Sequence, residues 1–190
     1  MPAGLLLATA TGLNCPKIAS VKELYTIKTS DIDSITLGSD HDITNIVFGT
    51  AGNGFGKVVF KRGECEMTET ASQMNEVNVI FSVPSPTNTQ RKQLQAIKDA
   101  CEQYMVVRLY DGDRFLFVGY DAVVGEEGFV RFNTAASSTG KAKGDAALMT
   151  FTMTAEQVEL VRGLSGISGA TVPATTAVAI AAELIAATSV

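Results

Sequence analysis

One stretch of the chain decides its fold: residues 83–121, which read VPSPTNTQRKQLQAIKDACEQYMVVRLYDGDRFLFVGYD. Thr87 and Gln90 have the three-residue spacing of a capping box, which satisfies free N–H groups where a helix begins. The apolar residues that follow recur at three- and four-residue steps and so share one helix face: Leu94, Ile97, Cys101 and Tyr104. We therefore expect an amphipathic helix over about residues 87–104.

Strands are predicted on both sides of this helix. Asp111-Gly112 suits the positive φ angles of a type I′ hairpin and lies between the apolar runs 105–110 and 114–120. Glu76–Val83 alternates cleanly between polar and apolar side chains, as a half-buried strand does. Further strands are expected at 21–28, 31–37, 43–48, 57–67 (with a bulge at Gly63), 129–132 and 148–153. The predicted fold class is mainly β (α+β) with one flanking helix.

A chain of 190 residues can bury a real core, and one main domain is the default expectation. We predict an N-terminal arm at 1–20, a β domain at 21–154 and a C-terminal extension at 155–190. The extension is expected to hold a short helix at 156–164 and an Ala-rich, helix-prone tail at 175–187. Residues 133–145, rich in Ala, Ser, Thr and Gly, are predicted to be a loop.

Charge and cysteine content exclude several classes of protein. The formal net charge of −5 argues against nucleic acid as a tightly held ligand, because such binders carry a basic patch. Cys15, Cys65 and Cys101 form no disulfide framework and no CxxC pair, so we expect reduced thiols, with Cys65 and Cys101 packed. Residues 1–10 lack the basic region of an export signal, and 177–187 is too short to span a bilayer.

The patterns that resemble catalytic motifs fail on spacing. A Walker A loop needs four residues between its first glycine and its Gly-Lys, whereas Gly52 and Gly56-Lys57 have three between them and lead into a strand. His41 is the single histidine and no nucleophile-elbow sequence accompanies it. We predict no catalytic residue, no cofactor and no metal site, and therefore a protein that is not an enzyme.

Carboxylates recur two residues apart at four places, of which Glu64 and Glu66 are the most informative. On a strand this spacing puts both side chains on one face. Such a pair could serve as the catalytic acids of a glycosidase, bind a cation, or form part of an acidic wall. The simplest interpretation is that both side chains are solvated surface residues, and an acidic wall is the second choice. The other three pairs are Asp31/Asp33, Asp40/Asp42 and Asp111/Asp113.

Several segments, in order and spacing, together resemble virion proteins of the tail-tube type from tailed phages and prophages of the Bacteroidetes. The resemblance covers roughly residues 15–154 and rests on no single motif. The segments are Cys15–Tyr25, Met67–Thr70, Phe81–Pro84, Arg91–Leu94, Val106–Asp121, Thr139–Gly140, Gly144–Asp145 and Leu148–Thr152.

This resemblance implies an antiparallel β-sandwich or barrel with a flanking helix, assembled into stacked, hexameric rings that form a conduit for phage DNA. The implied partners are copies of this chain and other virion tail proteins, with double-stranded DNA as cargo that does not stick, and no membrane. The implied location is the virion, assembled in the host cytoplasm. Glu64 and Glu66 are candidates for an acidic lumen. The candidate assembly loops contain Gly49, Gly52, Gly54, Gly56, Thr139, Gly140, Lys141, Lys143 and Gly144.

Two other classes of function stay open at this point. A tail terminator, a head–tail connector or a capsid decoration protein would share the virion setting without forming a tube. A small hydrolase or carbohydrate-binding module would instead need chemistry at residues such as Glu64, Glu66 or His41. The sequence contains no motif that favours this last class.

Overall fold

The computed structural model describes residues 20–39, 41–49, 56–110, 114–123, 128–138 and 147–168, with the backbone of 173–174. Within these ranges the chain is mainly β, with one α-helix and two main sheets, which confirms the predicted mainly β class. The predicted Asp111-Gly112 turn, most of the N-terminal arm and the Ala-rich tail lie outside the described residues.

The larger sheet has seven strands. Their order is β2 (Ile32–Leu37), β3 (Asp42–Phe48), β11 (Arg162–Leu164), β8 (Phe115–Val118), β7 (Gln103–Leu109), β1 (Val21–Lys28) and β4 (Gly56–Val59). β11 pairs in parallel with β3, and the other neighbours in this sheet are antiparallel. Because β11 lies between β3 and β8, residues beyond the predicted boundary at 154 take part in this sheet.

The smaller sheet has four antiparallel strands, in the order β5 (Cys65–Thr70), β6 (Asn75–Pro84), β10 (Leu148–Gln157) and β9 (Arg131–Ser138). The alternation predicted for Glu76–Val83 is confirmed, since Val77, Val79 and Phe81 are fully buried. A two-residue strand, β12 (Ile167–Ser168), pairs with β13 (Pro173–Ala174) near β3.

Two apolar clusters contain most of the buried hydrophobic residues. The first combines side chains of both sheets and α1 (Asn88–Asp99), among them Leu24, Val107, Phe81, Phe151 and Leu94. The second lies on the opposite face of the seven-stranded sheet and includes Tyr25, Val106, Phe117, Ile43 and Ile46. Neighbouring residues of a strand point to opposite faces, so β1, β7 and β8 are buried on both sides.

The predicted capping box is confirmed at the start of α1. Thr87 Oγ1 accepts from the Gln90 N–H at 3.3 Å, and Gln90 Oε1 accepts from the Thr87 N–H at 2.8 Å. The helix nevertheless ends at Asp99, five residues earlier than predicted. The Gln103 amide donates to the carbonyls of Ile97 and Ala100, which satisfies backbone acceptors at the helix end and lets β7 begin at once.

The early end of α1 corrects two placements. Cys101 was predicted to pack on the helix face, but it lies beyond the helix and is exposed. Tyr104 is buried as a residue of β7, so its helical spacing from Ile97 does not place the two side chains on one helix face. Cys65, by contrast, is buried as predicted, and burial raises the pKa of its thiol to about 12.

Three further predictions of secondary structure were wrong. Residues 57–67 form two strands in different sheets, β4 and β5, and Gly63 turns the chain between them with a φ of 90°. Residues 133–138 belong to β9 and are not a loop. Residues 156–164 form the end of β10 and all of β11 in place of a helix, because the buried Asp121 carboxylate accepts the N–H groups of Val158 and Glu159 and turns the chain there.

A buried cluster of charged side chains links β7, β1 and β4 at one side of the seven-stranded sheet. Glu23 on β1 accepts from Arg108 of β7 at 2.9 Å and pairs with Lys57 of β4 at 2.9 Å. The Tyr25 hydroxyl donates to the same carboxylate at 2.8 Å. Burial alone would raise the pKa of Glu23, but the bonds from Arg108, Lys57 and Tyr25 outweigh it and lower the pKa to about 2.

This depressed pKa predicts how stability depends on pH. The folded pKa of Glu23 lies below its unfolded value, so the cluster stabilises the protein above about pH 4.5, and this contribution is lost as the pH falls toward 2. The shift corresponds to about 3 kcal/mol. We expect Glu23→Gln to be less stable than the parent at pH 7 and to show a smaller loss between pH 5 and pH 2, measured by urea unfolding. Equal losses in Glu23→Gln and in the exposed control Glu102→Gln would contradict this assignment.

Candidate assembly surface

The outer face of the four-stranded sheet is mostly polar. Phe81 and Phe151 pair across β6 and β10 and point into the core, so the alternate positions point outward. The outward acids are Glu66 on β5, Glu76 on β6 and Glu156 on β10, all exposed. Arg131 on β9 pairs with Thr154 and lies on the same face. Hydroxyl and amide side chains supply most of the remainder: Thr68, Thr70, Asn78, Ser82, Thr150, Thr152 and Thr154.

Several of these polar side chains are bonded to one another, within one strand or between neighbouring strands. Asn78 donates to Glu76 at 2.7 Å, and the Thr154 hydroxyl donates to Asn78 at 2.8 Å. The Asn133 amide donates to Thr154 at 3.3 Å, which extends the row to β9. Ser82 and Thr150 share a further hydrogen bond of 3.0 Å. The result is a hydrogen-bonded face whose side chains partner each other.

One pair on this face costs stability. Glu76 and Glu156 lie directly opposite each other in the β6–β10 ladder. Like charges in that position repel and destabilise a sheet by a few tenths of a kcal/mol to about 1 kcal/mol. Glu76 and Glu156 thus place negative charge on this face, and their repulsion lowers the stability of the sheet.

The two acids that the sequence singled out differ in exposure. Glu66 lies exposed on the outer face of β5. Glu64 precedes β5, is half-buried, and its carboxylate accepts from the Lys61 N–H at 2.8 Å. Glu76 and Glu156 were not among the acids singled out from the sequence, although both occupy the polar positions of alternating strands. The period-two pattern that predicted those strands was the signal that could have found them.

The candidate assembly loops are described only in part. Gly49 follows β3 and donates its N–H to Asp31 O at 3.0 Å, and Gly56 is the first residue of β4. The other predicted loop residues lie outside the described ranges: Gly52, Gly54, Thr139, Gly140, Lys141, Lys143 and Gly144.

The two edges of the four-stranded sheet are β5 and β9. β9 is eight residues long, and Asn133 to Ser138 are exposed, small and uncharged. Natural monomers protect sheet edges with lysine, proline, bulges or a covering segment. β9 has one irregularity, where its register to β10 shifts between Thr152 and Met153, and no charged residue follows Arg131 along it. Its outer edge is therefore suited to pairing with another strand.

His41 contacts the backbone of the segment that contains β11. It has a positive φ of 57°, its ring Nε2 lies 2.8 Å from Leu160 O, and its own carbonyl accepts from the Gly163 N–H at 3.3 Å. The Ser165 hydroxyl donates straight to the Asp42 carboxylate with no imidazole between them. Within the described ranges no three His, Cys, Asp or Glu side chains are grouped so as to hold a metal ion.

Comparison with known proteins adds no relative: no family model, no curated protein and no solved structure matches this chain. In the part of the chain that the structure describes, no helix combines the length and the apolar character that crossing a membrane requires.

The opposed acids generate a testable expectation. Replacing Glu156 by Gln removes the repulsion from Glu76, so we expect a free energy of unfolding higher by a few tenths of a kcal/mol at low salt. The gain should shrink in 1 M NaCl, where screening acts within about 3 Å. Urea unfolding at both salt concentrations measures it. The matched control is the exposed acid Glu102, which lies outside both sheets; an equal gain in Glu102→Gln would refute the repulsion.

Proposed function

We propose that this chain is a structural virion protein, a tail tube subunit that self-assembles into stacked rings and forms the conduit for phage DNA. The observation that carries the proposal is the exposed, acidic and hydroxyl-rich face of the four-stranded sheet, bounded by the two sheet edges β5 and β9. The sequence resemblance to tail-tube proteins supports the same assignment.

In this proposal the two sheets form the β-sandwich of a tube wall. β9 of one subunit pairs with β5 of the next, and this head-to-tail contact repeats around a ring. A heterologous contact of this kind closes when its rotation divides a full turn, and the resemblance implies six subunits. The strands of the four-stranded sheets then form one continuous wall around the lumen, with α1 and the seven-stranded sheet outside.

The charge of the exposed face suits a lumen that DNA must pass without binding. Glu66, Glu76 and Glu156 outnumber Arg131 among the described residues of that face, and the whole chain has a net charge of −5. Tight DNA binding needs cations that replace the counterions of the phosphates. A wall of carboxylates and hydroxyls repels phosphate and leaves the DNA hydrated, so that it can slide.

The proposed location is the virion, after assembly in the host cytoplasm, and the proposed partners are other copies of this chain and the remaining tail proteins. A structural role also accounts for the contacts of the polar residues. His41, Glu23 and Asp121 are bonded to groups of the scaffold itself. The proposal therefore assigns no reaction to them.

The assembly contact is tested by a charge on the β9 edge. Ala135 pairs with Phe151 but is exposed, and a lysine there is the kind of edge charge that keeps natural sheets apart. We expect the parent protein to form hollow rods in negative-stain micrographs. Ala135→Lys should weaken each contact roughly tenfold, which is about 1.4 kcal/mol, and so lower the assembled fraction. Sedimentation measures that fraction.

Ala122→Lys is the matched control, since Ala122 is exposed in a turn and belongs to neither β5 nor β9. It should assemble like the parent. If Ala135→Lys forms rods as well as the parent does, β9 does not make the contact between subunits, whereas the proposed tube still stands. A parent protein that stays monomeric at high concentration would reject the tube, and single rings that never stack would favour a terminator or connector.

The lumen assignment is tested by reversing its charge. In Glu66→Lys/Glu156→Lys the exposed face becomes cationic, so assembled tubes should retain short DNA duplexes at low salt and protect them from nuclease. In Asp99→Lys/Glu102→Lys the same change of charge lies at the end of α1, outside both sheets. There we expect DNA to bind without protection. Equal protection, or none, in the two variants would show that the acidic face does not line the lumen.

A further inference from the structure

A cavity of about 720 Å³ runs beside β4, between that edge strand and α1. Its walls include all of β4 and the apolar side chains Val58, Phe60, Val83, Leu94 and Ile97. Each of these five side chains belongs to the first apolar cluster or packs against it. The cavity is therefore an open continuation of the hydrophobic core along one edge of the seven-stranded sheet.

The backbone of β4 offers hydrogen bonds on its open side. Phe60 donates its N–H to Lys22 O at 3.1 Å, and the register pairs Val58 with Leu24. Backbone groups of an antiparallel strand alternate in direction, so those of Lys57 and Val59 point away from β1. Among the described residues no strand lies on that side. The Val59 side chain is also 64% exposed, although it sits in a strand.

The described chain begins beside this edge, at Ser20. Ser20 is held at the turn that follows β4, because its hydroxyl accepts from the Gly63 N–H at 3.0 Å and its carbonyl from the Tyr110 N–H at 2.9 Å. Residues 11–19 span up to roughly 30 Å when extended. The four residues of β4 cover only about 13 Å. A segment before residue 11 can therefore return along the whole strand.

The composition of that segment matches the site on both faces. Leu5-Leu6-Leu7-Ala8-Thr9-Ala10 is an uninterrupted run without charge. Such a run is typical of a strand that is buried on both sides, whereas a strand with one solvated face alternates. Beside β4 one face would meet the apolar cavity and the other would meet the exposed Val59 side chain.

We infer that residues 4–10 of this chain add a strand to the free edge of β4 and fill the cavity beneath α1. The occupant comes from the same molecule, because Ser20 tethers it beside the site and a short tether gives a high effective concentration. The C-terminal end of the described chain is a poorer candidate. β12 lies against β3, and four strands separate β3 from β4 in the sheet. This inference does not depend on the proposed tube, since the ring contacts use β5 and β9.

Residue-resolved hydrogen exchange on the full chain tests the inference. The Lys57 and Val59 amides should be protected in the parent protein, independently of protein concentration, although no described residue accepts from them. The triple variant Leu5→Ser/Leu6→Ser/Leu7→Ser should lower their protection at least tenfold. The Val58 and Phe60 amides, which face β1, should change much less, and the Val79 and Met153 amides report whether the variant is folded. If the triple variant unfolds, Leu6→Ser alone is measured, with Leu13→Ser as control.

Three results would overturn the inference. Exchange of Lys57 and Val59 at the rate of exposed amides in the parent would mean that nothing pairs with β4. Protection that rises with protein concentration would mean that a second copy supplies the strand. Protection that survives in the folded serine variants would mean that another segment or molecule occupies the edge.

Discussion

Aromatic rings packed between the two sheets determine which side of each strand is buried. Phe81 and Phe151 pair across β6 and β10 and stack with ring centroids 5.2 Å apart, and Phe60 lies 5.4 Å from Phe81. These rings fill the first cluster together with Leu24 and Val107 from the other sheet. Once they are buried, the alternation of each strand decides which of its side chains reach solvent.

That alternation acts differently in the two sheets. The central strands of the seven-stranded sheet meet an apolar cluster on each side, so they have little room for polar residues; where Glu23 occurs, Arg108 and Lys57 neutralise it. The four-stranded sheet meets the core on one side only. Its other face is free to carry carboxylates and hydroxyls, and the opposed Glu76 and Glu156 show that it does so at some cost to stability.

Local patterns predicted much of this fold. The spacing of Thr87 and Gln90 placed the start of α1, and the alternation in Glu76–Val83 placed β6 and its buried face. Predictions failed where a local pattern continued through a break in the secondary structure. Strand-like sequence runs on through Gly63, yet the chain changes sheets there, and the helical spacing from Ile97 to Tyr104 is cut by the Gln103 side chain at the helix end.

The mainly β class, the capped helix and the identity of most buried strand residues could be read from the sequence, because these follow from residue periods of 2 and 3.6 within a single element. The three-dimensional fold was needed to show which strands share a sheet, which of them stand at its edges, and which acids share a face. Glu156 is far from Glu66 and Glu76 in the chain, and strand pairing brings the three acids onto one surface. The pairing of each strand depends on all the other strands of the chain, so it cannot be read from a single segment.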